Sequence, residues 1–176
     1  MESLLALVKP APAYQSAFWA MVADYRAAGE MRYQALVDFF RRDFEGYLRH
    51  LRNMSRGVGL KPGMVPYTVY WSVKPGLPII VGEFHLRHWL TPALEKEGGH
   101  IGYTITPSLR GQGYGTQQLR LGLERAREFG LDRVLITCDT DNIASARVIQ
   151  KNGGAFIDEV ISDRSGKPVS RYWIDL

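Results

Sequence analysis

Residues 110–116 read Arg-Gly-Gln-Gly-Tyr-Gly-Thr, with glycines at three alternate positions, and they are the densest chemical signal in the sequence. Closely spaced glycines let backbone N–H groups converge with no side chains in the way. An apolar stretch that reads as a strand precedes the segment, and a helical pattern follows it. The positive end of that helix dipole therefore adds to the converging amides. Such a site suits an anion, and a pyrophosphate in particular. The spacing excludes two common phosphate loops. A P-loop needs Gly-Lys-Ser/Thr after its second glycine, which is absent. The dinucleotide fingerprint G-x-G-x-x-G needs a glycine where Thr116 stands, and a kinase loop fails for the same reason.

A second cluster lies downstream. Asp141-Asn142-Ile143-Ala144-Ser145 is followed by Ile149, Lys151, Asn152 and the pair Gly153-Gly154. Together the two clusters resemble the GNAT family of N-acetyltransferases. Arg110, Gly113 and Gly115 fill the fixed positions of its Arg/Gln-x-x-Gly-x-Gly/Ala motif. Asn142, a small residue three positions on, and the glycines at the next helix end match its second motif. The resemblance extends over essentially the whole chain.

The resemblance implies acetyl-CoA as cosubstrate, bound between two neighbouring strands that splay apart, the fourth and the fifth. By motif offset, backbone groups of Tyr103 and Ile105 would pair with the pantetheine arm, and the Tyr103 amide would be the oxyanion donor. Arg110 and the amides of Gly111, Gln112, Gly113, Tyr114, Gly115 and Thr116 would hold the pyrophosphate. Asn142 and Ser145 would line the other side. Asn142 is equally a good helix N-cap, and Ser145 suits the same turn.

Acetyl transfer to an amine needs a neutral nucleophile, a stabilised oxyanion and a proton for the leaving thiolate. Two groups usual in relatives are absent: the tyrosine position on the second-motif helix is Ile149, and one glutamate position is Gly99. Glu83, His85, His100, Tyr103 and Tyr114 remain. Glu83 and His100 are the candidate proton-handling residues. Alternation puts Glu83 on the strand face opposite Gly82 and Phe84, where a solvated residue is the ordinary outcome. His100 is a base candidate because its unperturbed pKa is ~6.5. Tyr114 is expected to pack. Cys138 reads as a small strand residue, with no adjacent base to activate it. The expected reaction is direct attack in a ternary complex on a primary amine of a small molecule or peptide. A CoA-binding sensor or interaction module without efficient catalysis is the alternative.

These groups must be positioned by a mixed order of elements. Residues 4–9 read as a first strand stopped by Pro10 and Pro12. Residues 14–28 and 34–53 read as helices by their apolar steps of three and four. Residues 67–73 and 79–90 read as a hairpin around 74–78. Residues 91–99 read as a polar loop and 100–106 as a strand. Then come a helix at 115–129, a strand at 133–138, a helix at 142–152, and strands at 155–162 and 169–176. The pattern predicts one α/β (α+β) domain over residues 1–176, a mixed, mostly antiparallel sheet flanked by helices.

Composition narrows the classes further. The chain has 176 residues, is 45% hydrophobic and 23% charged, and carries a net charge of +4. That suits a globular domain and argues against a disordered chain. No apolar run reaches the ~20 residues of a membrane span. One cysteine and four histidines build neither an internal disulfide nor a zinc cage, so no metal is expected. The charge excess is small and no nucleic-acid reader motif is present. The expected setting is cytoplasmic, with no signal peptide, no membrane partner and no nucleic acid. The resemblance allows a homodimer. Arg41, Arg42, Arg49, Arg52, Arg56 and Lys61 outnumber Asp43 and Glu45 around the second helix and its loop, which suits a solvated face, or attraction to an acidic acceptor or to the CoA 3′-phosphate.

Overall fold

The computed structural model describes residues 5–176. Its centre is a seven-stranded sheet in the order β1-β2-β3-β4-β5-β7-β6. The strands are β1 (Ala6–Val8), β2 (Tyr67–Val73), β3 (Ile80–Arg87), β4 (Ile101–Ile105), β5 (Arg133–Asp139), β6 (Ala155–Ile161) and β7 (Pro168–Asp175). All neighbours are antiparallel except β4 and β5. The sheet is thus mixed and mostly antiparallel, as the sequence pattern predicts. Residue 4 of the expected first strand lies outside the described residues.

Helices α1 (Gln15–Ala27), α2 (Gln34–Phe40) and α3 (Phe44–Ser55) cover one part of the sheet. Phe18, Met21 and Tyr25 of α1 and Tyr47, Leu48 and Leu51 of α3 pack with Val69 and Trp71 of β2. Phe18 stacks on Trp71 with ring centres 5.2 Å apart. The second core lies under α5 (Tyr114–Glu128), where Leu119, Leu123 and Ala126 meet Phe84, Leu86 and Ile136. Gly122 makes that approach close: a Cβ there would enter the Phe84 ring.

Two expectations are corrected. Residues 34–53 do not form one helix. The Asp43 carboxylate accepts the Gly46 N–H at 2.7 Å and caps a new helix, α3, so the chain breaks at residues 41–43. Residues 91–99 are not all loop. Thr91 caps α4 (Pro92–Lys96), with proline in its first turn. The short helix α6 (Ile143–Lys151) follows β5.

Candidate active site

The site begins where the sheet fails to close. In the β3–β4 pair, Thr106 N–H bonds Val81 C=O, and Arg87 N–H bonds His100 C=O. With Glu83 opposite Thr104 and His85 opposite Gly102, antiparallel parity aims the backbone groups of Thr104 and Gly102 at β3. Those of Tyr103 and Ile105 then face β5. But β4 and β5 share a single registered pair, Ile101 with Ile136. Beyond it the strands diverge, and the Tyr103 and Ile105 amides face a gap. The Ile105 carbonyl is already taken, by the Tyr25 hydroxyl at 3.2 Å and Arg110 Nε at 3.1 Å.

The gap runs into a cleft of about 680 Å³ lined by β4, the glycine loop, the start of α5, and α6. α5 begins at Tyr114 with Gly113 as N-cap, in the left-handed region at φ 80°. No side chain caps it and no acidic residue sits in its first turn. The first amides of any helix lack intrahelical partners, so here they are left for a ligand. A Cβ on Gly113 would meet nothing within 4 Å, which shows open space in front of the loop. Arg147 and Lys151 of α6 add positive charge to the lining. Open space, uncapped donors and basic flanks fit a pyrophosphate.

The other expected cofactor residues divide. Asn142 Oδ1 accepts the Ser145 N–H at 3.1 Å, so this side chain caps α6 while lining the cleft. The Ser145 hydroxyl meets the Tyr103 hydroxyl at 2.8 Å. Burial pushes the Tyr103 phenol up to about 12, against a lowering by that Ser145 contact. Arg110 lines the cleft. Its guanidinium holds Glu30 through two bonds, at 2.6 and 3.0 Å, besides the Ile105 carbonyl. Its side chain therefore also braces the loop against the segment after α1. Tyr114 packs on Leu5 and Val81.

Glu83 is not a solvated strand residue. It is buried, and accepts from the Tyr33 hydroxyl at 3.3 Å, Trp71 Nε1 at 3.2 Å and His85 Nε2 at 2.8 Å. Burial alone would raise its carboxyl, but the charge and hydrogen bond of His85, the Trp71 N–H and Arg32 outweigh it and hold the group below the usual range. An ionised carboxylate only accepts, so in the neutral ring Nε2 of His85 carries the proton it donates and Nδ1 keeps the free lone pair. His85 is partly exposed, stacks on Tyr67 at 5.5 Å, and lines a second cleft of about 720 Å³ under α2 and α3. A third cleft of about 290 Å³ lies in the gap itself, bounded by Gly102, Tyr103, Cys138, Asn142 and Ser145. Arg32 lines both of these clefts.

His100 is corrected. Its Nδ1 accepts the Leu135 N–H at 2.9 Å, while the His100 backbone N–H donates to the Leu135 carbonyl at 2.7 Å. Burial, helped by Arg87, pulls the imidazole down to about 4. The ring joins β4 to β5 just before they part, and it is a neutral rivet rather than a proton carrier. Burial likewise raises the Cys138 thiol, which argues against a thiolate nucleophile. Sequence reasoning missed Tyr33 and Trp71 as partners of Glu83. It named His85 without pairing it, although positions 83 and 85 share a strand face.

The acetyltransferase (GNAT) domain family model matches residues 22–155, and the chain belongs to that family. The family is one of acetyltransferases. Solved structures share the fold at low identity. The microcin C7 self-immunity acetyltransferase MccE, in complex with acetyl-CoA and AMP, has a TM-score of 0.69 and 13% identity, covering 99% of this chain and 94% of that one. RimL, a ribosomal L7/L12 alpha-N-protein acetyltransferase in complex with coenzyme A, has a TM-score of 0.68 and 18% identity, covering 99% and 96%. An acetyltransferase from Salmonella typhimurium that modifies the N-terminal serine of L7/L12 has a TM-score of 0.67 and 16% identity, covering 99% and 96%. No curated protein sequence matches the chain. Among the described residues, no helix is long and apolar enough to cross a membrane.

Proposed function

We propose that residues 1–176 act as one catalytic unit that acetylates a primary amine of a small molecule or peptide by direct attack in a ternary complex. The observation that carries this reading is the meeting of two clefts in the β4–β5 gap, where both are lined by Tyr103, Asn142 and Ser145. Each substrate then has its own entrance, and no enzyme-bound acyl group is needed. The raised Cys138 thiol agrees with that.

Bound acetyl-CoA would supply an activated thioester carbonyl and a thiolate leaving group. The amides at the start of α5 would hold its pyrophosphate, with Arg147 and Lys151 beside them. The Tyr103 N–H would stabilise the oxyanion. His85 Nδ1 would take the proton of the attacking ammonium, with Glu83 orienting the ring. His85 stands opposite Gly102, next to Tyr103 along the strand. The Tyr103–Ser145 hydroxyl pair is the proton source on the side where the thiolate would leave. The protein would work in the cytoplasm, without membrane or nucleic-acid partners, as a monomer or a homodimer.

Titration calorimetry with acetyl-CoA, run beside ATP and NADH, tests the cofactor half, and thiol release with an amine panel tests the chemistry. Micromolar binding of acetyl-CoA alone together with amine-dependent thiol release is expected. Binding without turnover of any amine would favour a CoA-binding module, and no binding would overturn the reading.

A further inference from the structure

The 290 Å³ cleft in the β4–β5 gap has an unusual charge. Three guanidinium groups line it: Arg32 from the segment between α1 and α2, Arg87 from the end of β3, and Arg164 from the turn between β6 and β7. None of the three takes part in a carboxylate ion pair within 4.0 Å among the described residues. Two acids also line the cleft. One of them, Glu97, already accepts the Ser162 hydroxyl at 2.8 Å.

Arg87 is held in place rather than free. Its Nη1 donates to the carbonyls of Gly98 and Gly99 at 2.9 and 3.0 Å. Burial and the like charge of Arg164 both lower its affinity for its proton. Keeping like charges together beside a half-buried guanidinium is unfavourable unless an anion sits between them. Guanidinium forks match carboxylate and phosphate oxygens. The cleft's size admits such a group with a few neighbouring atoms but no folded partner.

We infer that the acceptor is an amine that also carries an anionic group, a carboxylate or a phosphate, which Arg32, Arg87 and Arg164 hold while the amine lies beside Tyr103. This rests on the acetyl-transfer reading above and deepens it. The three arginines come from segments 32, 87 and 164, so only the folded chain makes this selector. Surface charge of this kind also draws an anionic acceptor toward the gap, an effect that weakens with salt.

The test begins with binding, which does not depend on turnover. Protein saturated with CoA is titrated with glutarate and, separately, with inorganic phosphate; saturation closes the α5 anion site to either probe. Saturable millimolar or tighter binding of at least one is expected, and the stronger of the two identifies the anion's chemistry. Arg32→Gln and Arg164→Gln, both at exposed positions, should each weaken it by ~10-fold, one such charge-assisted contact, while leaving CoA affinity unchanged. No saturable binding of either anion to CoA-saturated wild type overturns the proposal. Turnover gives the second reading: Ala-Glu-Glu-Ala against Ala-Gln-Gln-Ala, and phosphoethanolamine against ethanolamine. A preference for the anionic member, reduced in both variants, supports the inference. Equal or better turnover of the neutral members overturns it while acetyl transfer itself stands. Failure of CoA to bind at all would instead bring down the acetyl-transfer reading.

Discussion

The two sides of the β4–β5 gap are built by different means. The proposed cofactor side is mostly backbone: the amides of Tyr103 and Ile105, the glycine loop and the uncapped start of α5. The proposed acceptor side is almost entirely side chains: Glu83 and His85 on β3, Tyr33 and Arg32 after α1, and Arg164 in the last turn. A backbone site recognises the common part of a substrate, because any sequence that keeps the conformation keeps the donors. A side-chain site changes with each substitution, which suits the part of the reaction that differs between relatives.

The comparison breaks most clearly at Gly113. Gly113→Glu puts a side chain on a residue at φ 80° and a negative charge before the α5 amides. Acetyl-CoA affinity should fall by ~1,000-fold or more, about 4 kcal/mol. Gly130→Ala, equally strained at φ 95° but away from the cleft, should leave affinity unchanged. Calorimetry of the two variants checks both, and equal affinities would mean that the loop is only a turn.

On the acceptor side the next effect is kinetic. His85→Asn should lower kcat by ~100-fold or more with acetyl-CoA affinity intact, the usual scale of one general base. Glu83→Gln should lower kcat less, because it keeps the ring but removes the charge that orients it. An unchanged kcat in Glu83→Gln would reduce Glu83 to a packing role.

A smaller effect belongs to the rivet between the two sides. His100 is held unprotonated in the fold down to about 4, against 6.5 when free. The unfolded chain therefore binds more protons between those values, and stability rises with pH across that window. Acidification from pH 7.5 to 5 should cost wild type roughly 1–2 kcal/mol through this group. His100→Gln, which does not titrate, should show a flatter dependence in denaturant titrations at the two pH values. Smallest of all, Glu30→Gln loosens the Arg110 brace. That pair is partly exposed, so only a few-fold loss of acetyl-CoA affinity is expected, on the scale of ~1 kcal/mol. A loss as large as that of Gly113→Glu would show that Arg110 contacts the cofactor directly.

Much of the fold was legible. The strands at 67–73 and 133–139, the helix after the glycine loop and the last hairpin lie where period and turn residues put them. The misread helix at 34–53 shows the limit of periodicity. Its apolar stripe continues through both α2 and α3, and one aspartate at position 43 breaks it by offering its carboxylate to Gly46. His100 misled for a different reason: a histidine at a strand entry looks the same whether its ring faces a substrate or takes a backbone N–H across the sheet.

The sequence by itself determined the glycine loop that opens α5, because glycine spacing and the start of a helix are local properties of consecutive residues. It also determined the strand that presents Tyr103 and the face shared by Glu83 and His85. Only the tertiary structure decided that Glu83 is buried among Tyr33, Trp71 and His85, that Arg110 braces Glu30, and that Arg32, Arg87 and Arg164 converge. Those contacts join residues up to 132 positions apart, from 32 to 164. Burial, charge and hydrogen bonding at such distances depend on how strands and helices pack, and no local pattern records that.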